Sequence, residues 1–265
     1  MKHQKINGSL FKHKRMDEKY YDSTIIFGVH PLEEAILAKT TFLKVYVQKG
    51  MGDGLKYIKQ ILNKHKIIFT EVPKEKLDSL SKYSNHQGVV AKISPITYSN
   101  AEELVKDLIA KGKQPFIVAL DRITDVRNFG AIARTAMAAG AHAIVIPEKG
   151  SATVTDEAIK TSAGALLHLP VCRSQNMFQT IKHLKDDGLQ IIAATEKANK
   201  ELYFEKLQMP CVVLVGSEED GIQNALLKLA DKLIKIPMRS ELDSLNVSVA
   251  AALVMYEVVR QNMEE

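Results

Sequence analysis

Three stretches in the second half of the chain put glycines and polar residues at the ends of apolar runs, where an α/β domain performs its chemistry. In "FIVALDRITDVRNFGAIARTAMAAG" the apolar run ends at Asp121, and the helical pattern that follows carries Asn128, Gly130 and Arg134. Asn128 reads as the N-cap and Arg134 falls roughly two turns into the helix. Gly130 and the alanines make a slim helix that another backbone can approach. Taken alone, the stretch equally describes a capped, alanine-rich helix with a solvent-facing arginine. In "CVVLVGSEEDGI", Gly216 and Gly221 bracket Ser217, Glu218, Glu219 and Asp220. A glycine ending a buried strand lets a ligand reach the main chain. Three carboxylates suggest magnesium, but such a cluster ordinarily just faces water. The third stretch, "IPMRSELDSLNVSVAAALVMYEVVRQ", passes from strand to helix through Ser244, Leu245, Asn246, Val247 and Ser248. Its amide and hydroxyls can cap the helix or line a site.

The elements that must hold these residues are legible from periodicity. Between 115 and 265, the near-continuous apolar runs "PFIVALD", "HAIVIP", "PVCR", "LQIIAAT", "CVVLVG" and "KLIKIPM" alternate with helical stretches. That pattern predicts a parallel sheet covered on both faces. Residues 23–94 form a smaller α/β unit of less apolar elements, among them "TIIFG", "HPLEEAILAK", "FLKVYVQ", "GLKYIKQILNKH", "KIIFTEV", "KEKLDSLSKY" and "GVVAKI". Residues 95–114, with "AEELVKDLIAKGK", read as a linker or as the first helix of the next unit. No GxGxxG follows a strand and no GxxxxGK[ST] occurs, which disfavours a nucleotide-dependent oxidoreductase or a P-loop protein.

Composition narrows the class further. The chain has 265 residues, enough for two domains, with 46% hydrophobic and 25% charged residues, as in soluble globular proteins. No apolar run approaches the roughly 18 residues of a membrane span, so no membrane partner is expected. Cys172 and Cys211 form neither a CxxC pair nor a zinc set and read as packed, reduced thiols, which suits the cytoplasm. The net charge is +5, and residues 1–19 hold six basic against two acidic residues. Residues 1–22 therefore read as a basic tail that follows a polyanion, or else as a merely solvated terminus; they lack the features of a signal or transit peptide.

Taken in order, Asn128-x-Gly130-x-x-x-Arg134, Gly216-x-Glu218-x-x-Gly221, and Ile236-Pro237-Met238 followed by Ser244-Leu245-Asn246-Val247-Ser248 resemble the three motifs of the SpoU/TrmH family. That family, in the SPOUT class, comprises RNA ribose 2′-O-methyltransferases, and the resemblance spans about 115–262. "IIFGVHPLEEAI" and "NHQGVVAKI" resemble the start and end of the substrate-binding domain of its RlmB-like branch, which has a ribosomal-protein-like RNA-binding fold.

The resemblance implies S-adenosylmethionine as cofactor, a C-terminal segment tied in a deep trefoil knot, a homodimer, and a guanosine of large-subunit (23S) ribosomal RNA as target. Other implied readings are a tRNA ribose methyltransferase and, from another class, a non-catalytic RNA-binding ribosome-assembly factor. Against the latter stand the retained Asn128, Arg134, Glu218, Ser244 and Asn246, which the resemblance makes the catalytic set. Thr195, Gly216, Ile236 and Leu245 would bind the cofactor, largely through main chain and apolar walls. Glu218 would hold the cofactor loop and pair with Arg134, while Asn128 would orient Arg134 or the ribose. A guanidinium stays protonated, so Arg134 would bind phosphate and steady a developing alkoxide rather than act as base. No metal is implied, since a sulfonium is already an activated methyl donor.

Overall fold

The structure is a computed structural model and describes residues 25–50, 52–239 and 244–263; the basic tail expected over 1–22 lies outside the described residues. The N-terminal unit runs β1 (Ile25–Phe27), α1 (Val29–Leu37), β2 (Phe42–Gln48), α2 (Asp53–Lys64), β3 (Thr70–Val72), α3 (Lys74–Leu80) and β4 (Val89–Ile93). Its sheet has the order β1-β4-β2-β3, with β4 antiparallel to β1 and β2, and β2 parallel to β3. In α2, Ile58 and Leu62 stand one turn apart and are buried with Leu32, Val45, Val47 and Val89. The strand expected over "KIIFTEV" is confined to its last three residues; Ile68 is 90% exposed and contributes nothing to the core.

The second unit comprises α4 (Ala101–Ala110), β5 (Phe116–Asp121), α5 (Val126–Ala138), β6 (Ala143–Pro147), α6 (Asp156–Thr161), β7 (Val171–Ser174), α7 (Met177–Asp186), β8 (Gln190–Ala194), β9 (Lys200–Glu201), β10 (Cys211–Gly216), α8 (Asn224–Leu227), β11 (Lys232–Lys235) and α9 (Val247–Gln261). Seven strands form one all-parallel sheet of order β7-β6-β5-β10-β8-β11-β9. All six apolar runs named from the sequence are strands in it.

The continuous apolar character of β5 and β10 follows from burial on both faces. Phe116, Val118 and Leu120 enter one core with Phe129, Ile132, Ala251 and Val254, so α5 and α9 cover that face. Ile117 and Ala119 enter the other core with Val105, Ile181 and Leu184, which places α4 and α7 there. Asn100 caps α4, its side chain accepting from the Glu103 amide at 3.0 Å. The segment 95–114 thus contains a capped helix packed on the parallel sheet.

The stretch 155–169, helical in pattern, breaks after Thr161 into a short 3-10 turn (Ala165–Leu167), with Ala163 and Gly164 at φ +51° and +86°. Close packing of α5 on α6 accompanies the break. A Cβ on Gly130 would lie 2.8 Å from Thr161 Cβ and 2.9 Å from the Ala158 carbonyl oxygen, so the slim face expected of that helix is used against α6. Both cysteines are fully buried, and burial pushes each thiol up to about 12. No described helix is long and apolar enough to cross a membrane.

Candidate active site

Strand register brings the singled-out residues together. Gly216 pairs with Asp121, while Ala194 pairs with Val215 on one side and Ile234 on the other. Asp121, Gly216, Thr195 and Lys235 therefore stand level at the carboxyl ends of four adjacent strands, the edge where ligands of parallel sheets bind.

Asp121 is a carboxylate with no exposed surface, and its bonds explain how it is tolerated there. It accepts from the Gln223 main-chain amide at 2.8 Å, from Gln223 Nε2 at 2.9 Å and from Arg122 Nε at 3.4 Å. Arg122, held at φ +59°, also donates to Asp220 Oδ2 at 2.8 Å and to the Gly221 carbonyl at 3.2 Å. The β10–α8 loop is thereby tied to the end of β5 by charge-assisted bonds. Neither Arg122 nor Gln223 was foreseen from the sequence. The available signal was Asp121 itself, a charge closing an otherwise apolar strand.

Gly216 makes a close approach within the protein itself. A Cβ there would lie 2.2 Å from the Gly221 carbonyl carbon and 2.3 Å from the Ile222 nitrogen, so it is the protein's own loop that folds back over the strand end. Gly221 closes that loop at φ +66°, its amide donating to the Ser217 carbonyl at 3.0 Å.

The N-cap of α5 is Asp125, not Asn128: Asp125 Oδ1 accepts from the Asn128 main-chain amide at 2.7 Å. The helix starts one turn earlier than expected, which frees the Asn128 side chain. That side chain donates from Nδ2 to Glu218 Oε1 at 3.1 Å. Asn246 Nδ2 donates to the same Glu218 oxygen at 2.9 Å and to Asn128 Oδ1 at 3.0 Å. The Val247 amide completes the junction at 3.3 Å. Asn246 also caps α9 as expected, its Oδ1 accepting from the Ser248 amide at 3.0 Å and from the Ser248 hydroxyl. Beside this junction lies a cleft of about 260 Å³ lined by Arg122, Asp125, Asn128, Ser217, Glu218 and Val247.

The other expected site residues are placed differently. Arg134 is exposed and, among the described residues, has no hydrogen bond or ion pair; the expected Glu218–Arg134 pair is not formed, and Glu218 Oε1 instead accepts from the two amides and Val247. Arg134 lies on the Gly130 side of α5, one turn further along. Thr195 is buried, its Oγ1 accepting from the Lys197 amide at 3.3 Å and its own amide donating to the Ile234 carbonyl at 2.9 Å. Ile236 packs against the α5/α9 core. Leu245 is half-buried and Ser244 exposed, in the segment leading to Asn246. Thr195, Gly216 and Ile236 thus stand together at one strand-end edge.

Comparison with known proteins places the chain in a family. Residues 115–256 match the family model "SpoU rRNA Methylase family", and residues 25–99 match "RNA 2'-O ribose methyltransferase substrate binding". A Staphylococcus saprophyticus protein assigned to the TrmH family of tRNA/rRNA methyltransferases is 39% identical over 91% of this chain and 96% of its own length. The 23S rRNA (guanosine-2'-O-)-methyltransferase RlmB of Vibrio vulnificus is 34% identical over 90% of this chain and 97% of its own. Among solved structures, the AdoMet-bound rRNA methyltransferase from Sinorhizobium meliloti shares the fold, with a TM-score of 0.59 at 22% identity, covering 91% of this chain and 88% of that one. A sheet with this strand-end junction, carried by a chain matched over both of its units, belongs to the SpoU rRNA methylase family, and the protein is a methyltransferase.

Proposed function

We propose that the protein transfers a methyl group from S-adenosylmethionine to the 2′-hydroxyl of a guanosine ribose in large-subunit ribosomal RNA, in the cytoplasm. The observation that carries this reading is the junction of Asn128, Glu218 and Asn246, three polar residues from three separate strand exits. The two-unit organisation, and likeness over both units to a protein named for 23S guanosine 2′-O-methylation, support the ribosomal target.

Bound at the carboxyl edge, the cofactor supplies a methyl group already activated as a sulfonium, so alignment and one proton remain for the chain to manage. Thr195, Gly216, Ile236 and Leu245 hold it, through main chain and aliphatic walls. Glu218 accepts from both asparagine amides and fixes the loop that covers Gly216. Asn128, Asn246 and Ser244 form the polar wall facing the ribose. The Arg134 guanidinium binds the phosphate beside the target and steadies the ribose oxygen as its proton passes to that phosphate or to water. Its exposure suits a group whose partner arrives with the RNA.

The segment through Ser244–Ser248 is threaded as the deep trefoil knot of the SPOUT class, an exception to the rule against threaded chains. Support comes from the bonds of Asn246 and Val247 to Glu218 in the loop after β10, and from the packing of α9 on the central strands. Two copies pair along α9, where Val249, Leu253 and Tyr256, spaced for one helical face, are 47%, 36% and 50% exposed. The deciding experiment maps ribose methylation in ribosomal RNA from cells with and without the gene, alongside methyl transfer from radiolabelled cofactor by the purified protein. Loss of a single guanosine modification is expected. No change in the map and no transfer in vitro would reject the reading.

A further inference from the structure

The N-terminal unit contains a cleft of about 550 Å³ between the β2–α2 turn and the α3–β4 loop. Gln48, Leu55, Lys74, Tyr83, Asn85 and His86 are among its lining residues. Its size falls within the roughly 300–1,000 Å³ of small-molecule sites, and its lining includes the apolar side chain of Leu55, the amides of Gln48, Asn85 and Gln87, Lys74, and Asp78, whose carboxylate is engaged by His86.

The loop on one side is strained and fastened. Lys82, Tyr83 and Gln87 have φ of +52°, +59° and +50°, a left-handed conformation that non-glycine residues keep only when their surroundings enforce it. The enforcing contacts are visible. Ser81 Oγ bonds the carbonyls of Asp78 at 3.3 Å and Ser84 at 3.2 Å, and Gln87 Oε1 accepts from the Val29 amide at 2.9 Å. His86 Nδ1 accepts from the Gly88 amide at 3.0 Å, which assigns the proton to Nε2, donating to Asp78 at 3.0 Å. This fastening holds Tyr83 85% exposed at the rim of the cleft.

Charge distribution identifies the partner. Residues 25–94 carry eleven lysines against six carboxylates, a net of +5, whereas residues 95–265 carry 19 basic against 22 acidic residues, a net of −3. With the net +3 of residues 1–24, the excess positive charge thus lies in the N-terminal part of the chain, this unit included, and attracts a polyanion to it. An aromatic ring presented on a rigid rim, beside a lysine and side-chain amides, is the arrangement that reads unstacked bases in single-stranded RNA.

We infer that this cleft takes one unpaired nucleotide of the RNA substrate, Tyr83 stacking on its base and Lys74 pairing with its phosphate. The inference rests on the RNA methyltransferase reading and adds where the substrate is recognised, away from the strand-end junction. The test uses the full chain and two RNA hairpins, one fully paired and one with a single extruded 2-aminopurine. The bulged hairpin should bind about tenfold more tightly, with quenched fluorescence, and Tyr83→Ala should abolish both differences while Tyr83→Phe keeps them. Lys74→Ala should weaken binding of the bulged hairpin and lower its salt dependence. Calorimetric titration with S-adenosylmethionine runs in parallel, and Tyr83→Ala should leave that affinity unchanged. Equal affinity for the two hairpins, or discrimination that survives Tyr83→Ala, overturns the inference even where cofactor binding and methylation hold. Absence of cofactor binding in the unaltered protein overturns the enzymatic reading instead.

Discussion

Glu218 and Asn246, 28 residues apart in the chain, meet through a 2.9 Å bond from the Asn246 side-chain amide to Glu218 Oε1. The bond joins the loop after β10 to the start of α9, and Asn128 of α5 shares the same oxygen. One carboxylate thus holds three separate parts of the chain in a single arrangement.

Removing that acceptor should be felt in activity more than in stability. Glu218→Ala leaves the two exposed asparagine amides to water and the part-buried Val247 amide without its acceptor, so unfolding free energy should fall by about 1–2 kcal/mol. Methyl transfer should fall at least about 100-fold, the scale of losing an aligned site group. A chemical melt beside single-turnover kinetics checks both, and near-normal turnover rejects the assigned role.

Gly216 and Gly221 should differ as sites for alanine. At Gly216 the added Cβ meets main chain at 2.2 Å, so the loop must move, at a cost on the order of 3 kcal/mol or more. At Gly221 the nearest atom to an added Cβ is Glu196 Oε1 at 4.0 Å, and only the φ of +66° penalises alanine, by about 1–2 kcal/mol. Urea denaturation of the two variants gives the ranking directly.

Arg134→Ala should remove turnover yet leave cofactor affinity intact. Because the side chain is exposed with no bond among the described residues, stability should change by no more than about 0.5 kcal/mol. Calorimetry with S-adenosylmethionine and a radiolabelled methyl assay separate the two effects.

Acid sensitivity should come partly from Glu205. Lys200 at 2.7 Å and Lys232 at 2.6 Å hold its carboxylate below the ordinary value of 4.5. A depressed native pKa means the stabilisation is present above about pH 4.5 and is lost as pH falls through the lower, native value. Thermal melts between pH 3 and 7, a range chosen at about one unit or more either side of that value, should show a flatter acid limb for Glu205→Gln.

The apolar face of α9 gives a test of assembly. Leu253→Lys places a charge in the middle of the Val249–Tyr256 stripe and should convert a dimer into a monomer by light scattering. An unchanged mass shows that copies do not pair on this face.

Much of the architecture was readable because period and composition are local properties. Both faces of β5 and β10 are buried, and six apolar runs between helical stretches can hardly be arranged otherwise. Errors arose where a tertiary contact overrode a local signal. Asn128 is a good cap, but Asp125 lies three residues earlier and captures the helix start. The helical pattern after Thr155 yields at Ala163–Gly164, where the chain packs beneath α5.

By itself, the sequence determined which residues sit at strand exits, in what order, and that a parallel sheet would carry them, since hydrophobic spacing fixes strand, face and end. Only the tertiary structure decided that Asn128, Glu218 and Asn246 share one oxygen, that Arg122 and Asp121 tie the loop down, and that Arg134 stands apart. Hydrogen bonds between residues 90 to 118 positions apart leave no periodic trace in the chain; they exist only once strand order has set which loops are neighbours.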